Sequence, residues 1–259
     1  MSSLTKGAFY AGVAYEFDSN SLETTVSAAP FQFSDDFVGA GHTAGVPAAG
    51  SPTAGYAWVK KIVGSAPPPV ALVTNASCGV MQCALTSTSE AEEASLYFND
   101  SLAVPTICST TQHSFVEWRS TLAVIPTGVA QAFLGLGSAW VGGPLNLARY
   151  AGFIWNASAA LYITTKDANG DTYSFAAAPI GGSAITTDTN SHFYRIDFSN
   201  LADVAFFVDG NRVNAIGSVV WNPSSAANGV LQPWQTVYKA SGAGVATLNI
   251  DKIDVFANR

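Results

Sequence analysis

Residues His192–Asn214 read HFYRIDFSNLADVAFFVDGNRVN, and this stretch decides the fold class. Tyr194, Ile196 and Phe198 recur at every second position, with Arg195 and Asp197 between them. Alternation at that period marks a half-buried β-strand, because successive side chains leave a strand on opposite sides. After a short polar break, Val204 to Val208 is apolar on both faces, as a strand between packed layers would be. Asp209-Gly210 then supplies residues that accept positive φ, which a tight hairpin needs at its centre.

The same pattern extends in both directions. Phe115 to Val124, FVEWRSTLAV, places Val116, Trp118, Leu122 and Val124 on one side and Glu117, Arg119 and Thr121 on the other. Ala132 to Gly137, AFLGLG, has small residues that permit close sheet packing or a bulge. Residues 138 to 149 form a loop carrying Trp140. Tyr150 to Trp155, Ala159 to Thr164 and Thr172 to Ala176 follow as strands, the last two joined across an Asn169-Gly170 hairpin. Leu231 to Lys239 and Ala246 to Phe256 close the chain. In the last segment Leu248 and Ile250 share one phase and Ile253 and Val255 the other, so a β-bulge near Asp251-Lys252 is predicted.

Toward the N-terminus, Phe31 to Phe37 reads as the first strand of the main domain, residues 39 to 55 as a Gly- and Ala-rich loop, and Tyr56 to Val63 as a short strand. Val80 to Leu85 and Ala94 to Phe98 form the next pair, and Thr86 to Glu93, TSTSEAEE, is expected to be a solvated polar turn between them. Residues 1 to 30 form an N-terminal arm with Phe9, Tyr10, Tyr15 and Phe17 as candidate anchors. The arm docks on a neighbouring subunit or adds an edge strand to its own domain; its composition leaves both open. Residues 31 to 259 make one all-β domain, a two-sheet antiparallel jelly-roll sandwich, since many short strands alternate with turns and no fixed repeat indicates a propeller.

Composition narrows the partners. Charged residues are 11% of the 259, against roughly 25% in an average soluble domain. The net charge is −7 and no Lys/Arg cluster exists, which argues against nucleic acid and anionic membranes. No apolar run is long enough to span a bilayer, and the first residues lack the features of a signal peptide. Cys78, Cys83 and Cys108 lack metal or disulfide spacing and are expected as buried free thiols. His42, His113 and His192 are scattered, so no metal and no cofactor are expected. Asp167 to Asp171, DANGD, resembles the start of a calcium loop but has Thr172 and Ala178 where that loop needs Gly and Glu; a hairpin tip explains it better.

Four segments together, FVEWRSTLAV, AFLGLG, YRIDFSNLADVAFFVDGNRV and LQPWQTVYKASGAGVATLNIDKIDVFANR, resemble the concanavalin A-like lectin/glucanase (LamG-like) jelly roll, in the version found in tailed-phage virion proteins. The resemblance implies a virion structural protein, most simply a capsid decoration or cement protein. Its partners would be the major capsid protein or other virion subunits, with further copies of itself as a homo-oligomer. It would be made in the host cytoplasm and carried on the virion. The alternative is a carbohydrate-binding adhesion module of a head fibre or tail that meets a host-surface glycan.

Glucanases of this fold carry a Glu-x-Asp-x-Glu strand, which places alternate acids in the groove. The six Glu residues here form no such triplet, so the chain is expected not to be an enzyme, with no catalytic residues. Trp140, Trp221 and Trp234 lie in or beside loops. They are the candidates for stacking on a sugar, or else plugs that complete the core.

Overall fold

The structure is a computed structural model. It describes residues 4–10, 13–18, 24–26, 31–37, 58–65, 70–74, 76, 79–98, 108–109, 114–222 and 230–257. In chain order the strands are β1 (Leu4–Tyr10), β2 (Val13–Asp18), β3 (Thr24–Val26), β4 (Phe31–Asp35), β5 (Val59–Val63), β6 (Val70–Leu72), β7 (Met81–Ala84) and β8 (Glu92–Tyr97). Then come β9 (Cys108–Ser109), β10 (Phe115–Val124), β11 (Gln131–Gly137), β12 (Tyr150–Trp155), β13 (Tyr162–Lys166) and β14 (Thr172–Ala176). The last are β15 (Ser191–Asp197), β16 (Ala205–Val208), β17 (Asn211–Arg212), β18 (Val230–Lys239) and β19 (Thr247–Ala257). The one helical element among the described residues is a 3-10 turn at Pro144–Asn146.

Two large antiparallel sheets make the sandwich. The back sheet runs β17-β16-β15-β10-β19-β7-β6, with β4 also on β19. The front sheet runs β14-β13-β12-β11-β18-β8-β5, with β9 also on β18. Their inner faces meet in a single core that joins Val116, Trp118 and Ile196 of the back sheet to Leu134, Phe153 and Val237 of the front one. These are the inward phases of strands that alternate in the sequence, so the all-β two-sheet sandwich follows from the pattern. Cys83 belongs to this core and is fully buried as a free thiol, and its burial pushes the thiol up to about 12.

The opening stretch folds as β15, β16 and β17. Asp209 and Gly210 both have positive φ, 49° and 73°, which suits the right-handed twist of the hairpin strands. The bulge in β19 is present too: Arg119 of β10 pairs Lys252 while Ser120 pairs Ile250, so Asp251 is the extra residue. It keeps Leu248, Ile250, Ile253 and Val255 all on the buried side. The DANGD segment is a turn. The Asp167 carboxylate accepts the N–H groups of Asn169 (2.9 Å), Asp171 (2.9 Å) and Asn222 (3.1 Å).

His192 pins the hairpin of the opening stretch. Its Nδ1 lies 2.7 Å from Asp209 Oδ2 and its Nε2 lies 2.9 Å from Asp188 Oδ1. Hydrogen bonding to Asp209, and more weakly to Asp188, raises the imidazole from 6.5 to about 9 against the opposing effect of burial. The folded value lies above the unfolded one. The stabilisation is therefore fully present below about pH 6.5 and is lost as pH rises through about 9. After solvent screening it amounts to on the order of 2 kcal/mol. The difference in Tm between the wild type and His192→Gln should be large at pH 6 and nearly vanish at pH 10; a difference constant with pH would refute this.

Among the described residues the arm strands β1, β2 and β3 form a three-stranded sheet of their own and pair with neither large sheet. The side chains of Phe9, Tyr10, Tyr15 and Phe17 lie outside the described residues. One expectation changes: Thr86 to Glu93 is not wholly a solvated turn. Strand β8 begins at Glu92, and Glu92 and Glu93 are each only 1% exposed. Adjacent strand residues point to opposite faces. Glu92 therefore meets the buried Lys239 ammonium at 3.3 Å on one side, while Glu93 emerges on the outer face of the front sheet.

Candidate functional site

The outer face of the front sheet has its own apolar layer. Val59, Tyr97, Phe133, Leu147, Tyr150, Ile154 and Trp234 form a second cluster, with Trp140 and Tyr162 packed against it. Strand registry sets out its floor in rows. Lys61, Ser95, Thr236, Phe133 and Ile154 stand side by side across five strands, and Val59, Tyr97, Trp234, Gly135, Gly152 and Thr164 make the next row. The Ser95 and Thr236 hydroxyls are 2.6 Å apart. The Tyr150 hydroxyl bonds with Thr164, and burial raises its phenol.

Glu93 is the carboxyl of this face. It accepts from the Ser95 hydroxyl, from Trp140 Nε1 at 2.8 Å and from the Gly143 N–H at 3.0 Å. Burial raises its pKa, and the three hydrogen bonds and the Lys61 charge hold it back in part. Strands of this sheet bring no second carboxylate to the outer face, since Glu92, the other acid in them, turns inward. The Lys61 ammonium sits 4.4 Å from the centre of the Trp140 ring.

The three candidate tryptophans occupy different environments. Trp140 is half-buried, at the edge of the outer face, in the loop 138–149. Trp234 belongs to the same face but lies in its floor, 1% exposed, packed edge-on against Phe133 at 6.0 Å. Trp221 lies in the core between the sheets, 2% exposed, against Phe198. Trp140 is therefore the one of the three with ring surface toward solvent. Glu93, Lys61, Ser95 and Thr236 escaped the sequence reading. The signal for Glu93 was the alternation Glu93, Ser95, Tyr97 against Ala94, Leu96, Phe98, which extends the strand back through the acids.

No protein-family model matches the sequence, and no curated protein does. Solved structures match its fold. One is a Shewanella oneidensis protein of unknown function, with TM-score 0.55 and 12% identity, covering 92% of this chain and 90% of that one. Another is an immunostimulatory antigen and pseudo β-1,3-glucanase of Mycobacterium tuberculosis, with TM-score 0.54 and 13% identity over 88% of this chain and 98% of that one. A third is a β-1,3-1,4-glucanase (lichenase) from a mouse hindgut metagenome, with TM-score 0.53 and 12% identity over 87% and 99%.

The expectation that the chain is not an enzyme is corrected by these matches: its fold is one that glucanases use. The strands lack the Glu-x-Asp-x-Glu triplet, yet Glu93 is a buried carboxyl with a raised pKa on the outer sheet face. The chain therefore has the fold of a concanavalin A-like two-sheet jelly roll.

Proposed function

We propose that the protein binds a polysaccharide of glucan type on the outer face of the front sheet, with Trp140 as the stacking platform. The observation that carries this reading is the environment of Trp140. Its ring is half-exposed, its Nε1 is fixed by Glu93, and the Lys61 ammonium lies against it. A ring held so loses little freedom when a sugar stacks on it, and rigid aromatics are efficient contacts for that reason. The hydroxyls of Ser95, Thr236 and Tyr150 lie on the same face but are buried beneath the loop 138–149, so Trp140 carries the contact. The fold shared with glucanases supports the substrate class.

Trp140→Ala should weaken binding of laminaritetraose or lichenan by about tenfold or more, equivalent to about 1.4 kcal/mol. Trp221→Ala should lower Tm instead and leave the affinity of the folded protein unchanged. Calorimetric titration measures both, and equal affinities for wild type and Trp140→Ala would refute the platform. Release of reducing ends in the same incubation would show that the site is hydrolytic.

The setting we propose is the particle of a tailed bacteriophage, where the protein serves as a capsid decoration subunit or as an adhesion module of a head fibre or tail. Two features support it. The separate sheet of β1, β2 and β3 is a unit with which the chain can dock on a capsid subunit or on another copy of itself. The 11% charged residues leave a weakly charged surface that suits close packing among subunits. Mass spectrometry of purified particles tests this: a fixed ratio to the major capsid protein is the expected result, and absence from the particle would remove the proposal.

A further inference from the structure

Residues 138–149 leave the front sheet at Gly137, return at Tyr150, and lie on its outer face in between. At the root, the Ser138 N–H donates to the Arg149 carbonyl at 2.9 Å, and Gln232 Nε2 donates to the Ser138 carbonyl at 3.1 Å. Gly137 pairs Gln232, whereas Glu93 pairs Tyr238, six positions further along β18 (238 − 232). At about 3.3 Å per residue, the backbone positions of root and Glu93 are about 20 Å apart along the sheet. The Glu93 carboxyl nevertheless accepts from both Trp140 Nε1 and the Gly143 N–H, so the loop reaches well across the face. A methyl group on Gly143 would lie 3.0 Å from Tyr238 Cζ, which shows how closely the tip is seated. Nearer the root, Leu147 is fully buried, and a Cβ on Gly137 would meet both its Cδ1 at 2.7 Å and Trp234 Cε3 at 2.6 Å. The loop is a strap.

What lies in the floor points to a ligand. Trp234 is 1% exposed, and among the described residues its Nε1 has no hydrogen-bond partner. A buried indole N–H left without an acceptor costs about 1–3 kcal/mol. Beside it stand Tyr97 in the same row and the Ser95–Thr236 hydroxyl pair in the next. An oxygen-rich chain would supply the missing acceptor. The strap itself offers Trp234 apolar Leu147 and holds no acidic residue.

We propose that residues 138–149 are a strap latched by Glu93, and that releasing the latch uncovers a second carbohydrate surface, the floor formed by Trp234, Tyr97, Ser95 and Thr236. The proposal rests on the carbohydrate reading above. Glu93 is a positioning residue: it holds Trp140 at the edge of the face and the strap across it. Because Trp140 belongs to the strap, the latched state presents the Trp140 platform and the released state exchanges it for the groove over the floor.

The test compares the full-length wild type with Glu93→Ala and Glu93→Gln by hydrogen–deuterium exchange, with and without laminaritetraose. Glu93→Gln preserves the side-chain shape and one acceptor oxygen, which keeps the test usable if Glu93→Ala folds poorly. Amide exchange across 138–149 should rise about tenfold in Glu93→Ala and less in Glu93→Gln, while β10 stays protected. Laminaritetraose should then protect peptides covering β8 and β18 in the Glu93 variants more than in the wild type. Unchanged strap exchange in both variants overturns the latch. Strap release without added protection of β8 and β18, when laminaritetraose still protects the wild type, overturns the floor as a carbohydrate surface. Strap release with no laminaritetraose protection in any protein leaves the latch standing and defeats the carbohydrate reading instead.

Discussion

Lys239→Ala should lower Tm by roughly 10 °C, corresponding to a loss of about 3–5 kcal/mol. Lys239 is entirely buried, and its ammonium donates to the carbonyls of Thr86 (2.8 Å) and Thr88 (2.6 Å) and faces Glu92 at 3.3 Å. Glu92 in turn accepts the Thr86 N–H at 2.9 Å and the Thr86 hydroxyl. The pair thus ties the turn between β7 and β8 to the end of β18. Removing the lysine alone leaves a buried carboxylate uncompensated and two carbonyls without a donor, which is the costly way to break a buried pair. Glu92→Ala should cost a similar amount. The double variant Lys239→Met with Glu92→Leu should recover much of the loss, because it removes both charges and restores apolar contact. Thermal denaturation of the three proteins checks this, and additive losses in the double variant would show that the two charges do not act as a pair.

Gly135→Ala is expected to destabilise the fold by about 3 kcal/mol, large for the addition of one methyl group. Gly135 of β11 stands directly opposite Gly152 of β12. A Cβ at Gly135 would lie 2.4 Å from the Ala151 carbonyl oxygen and 2.6 Å from Gly152 Cα, contacts with backbone that cannot rotate away. A Cβ at Gly152 would instead strike mainly the far end of the Phe133 ring, at 2.5 Å and 2.6 Å. The two substitutions should therefore respond differently to a second change. Phe133→Leu should partly rescue Gly152→Ala, whose principal obstacle is the ring, and should not rescue Gly135→Ala. Urea unfolding of the four variants measures this. Equal rescue at both sites would mean that the sheet relaxes locally around either methyl.

The back sheet was the more legible half of the molecule. In FVEWRSTLAV the alternation identified Val116, Trp118 and Leu122 as inward, and all three are buried. Val124, assigned to the same side, is 39% exposed because it sits at the strand end beyond the core. The change of phase in ATLNIDKIDVF located the bulge at Asp251, and Asp209-Gly210 located the hairpin. Such features are local: each is imposed by neighbours in the chain through the two-residue period of a strand or the φ range of a turn.

The front sheet was harder to read, and the candidate site lies on it. Phe133, Tyr150, Ile154 and Trp234 occupy the outward phase, yet they are buried because the strap and its Leu147 pack onto that face. With both phases apolar, the period of two says only that the strand is covered on each side, and nothing in it names the cover. The acids at the start of β8 misled for the same reason. In the sequence they stand in a polar run that reads as solvated, and only Lys239, far along the chain, and the strap from residues 138–149 give the two carboxyls their opposite destinations. By itself, then, the amino-acid order determined that this protein is a two-layered β-sandwich, where its turns and bulge fall, and which side of the back sheet faces in. Which acids are buried, which tryptophan reaches solvent, and what crosses the front sheet were decided by contacts between residues distant in the chain, where burial and hydrogen bonding depend on the partner brought there by the fold.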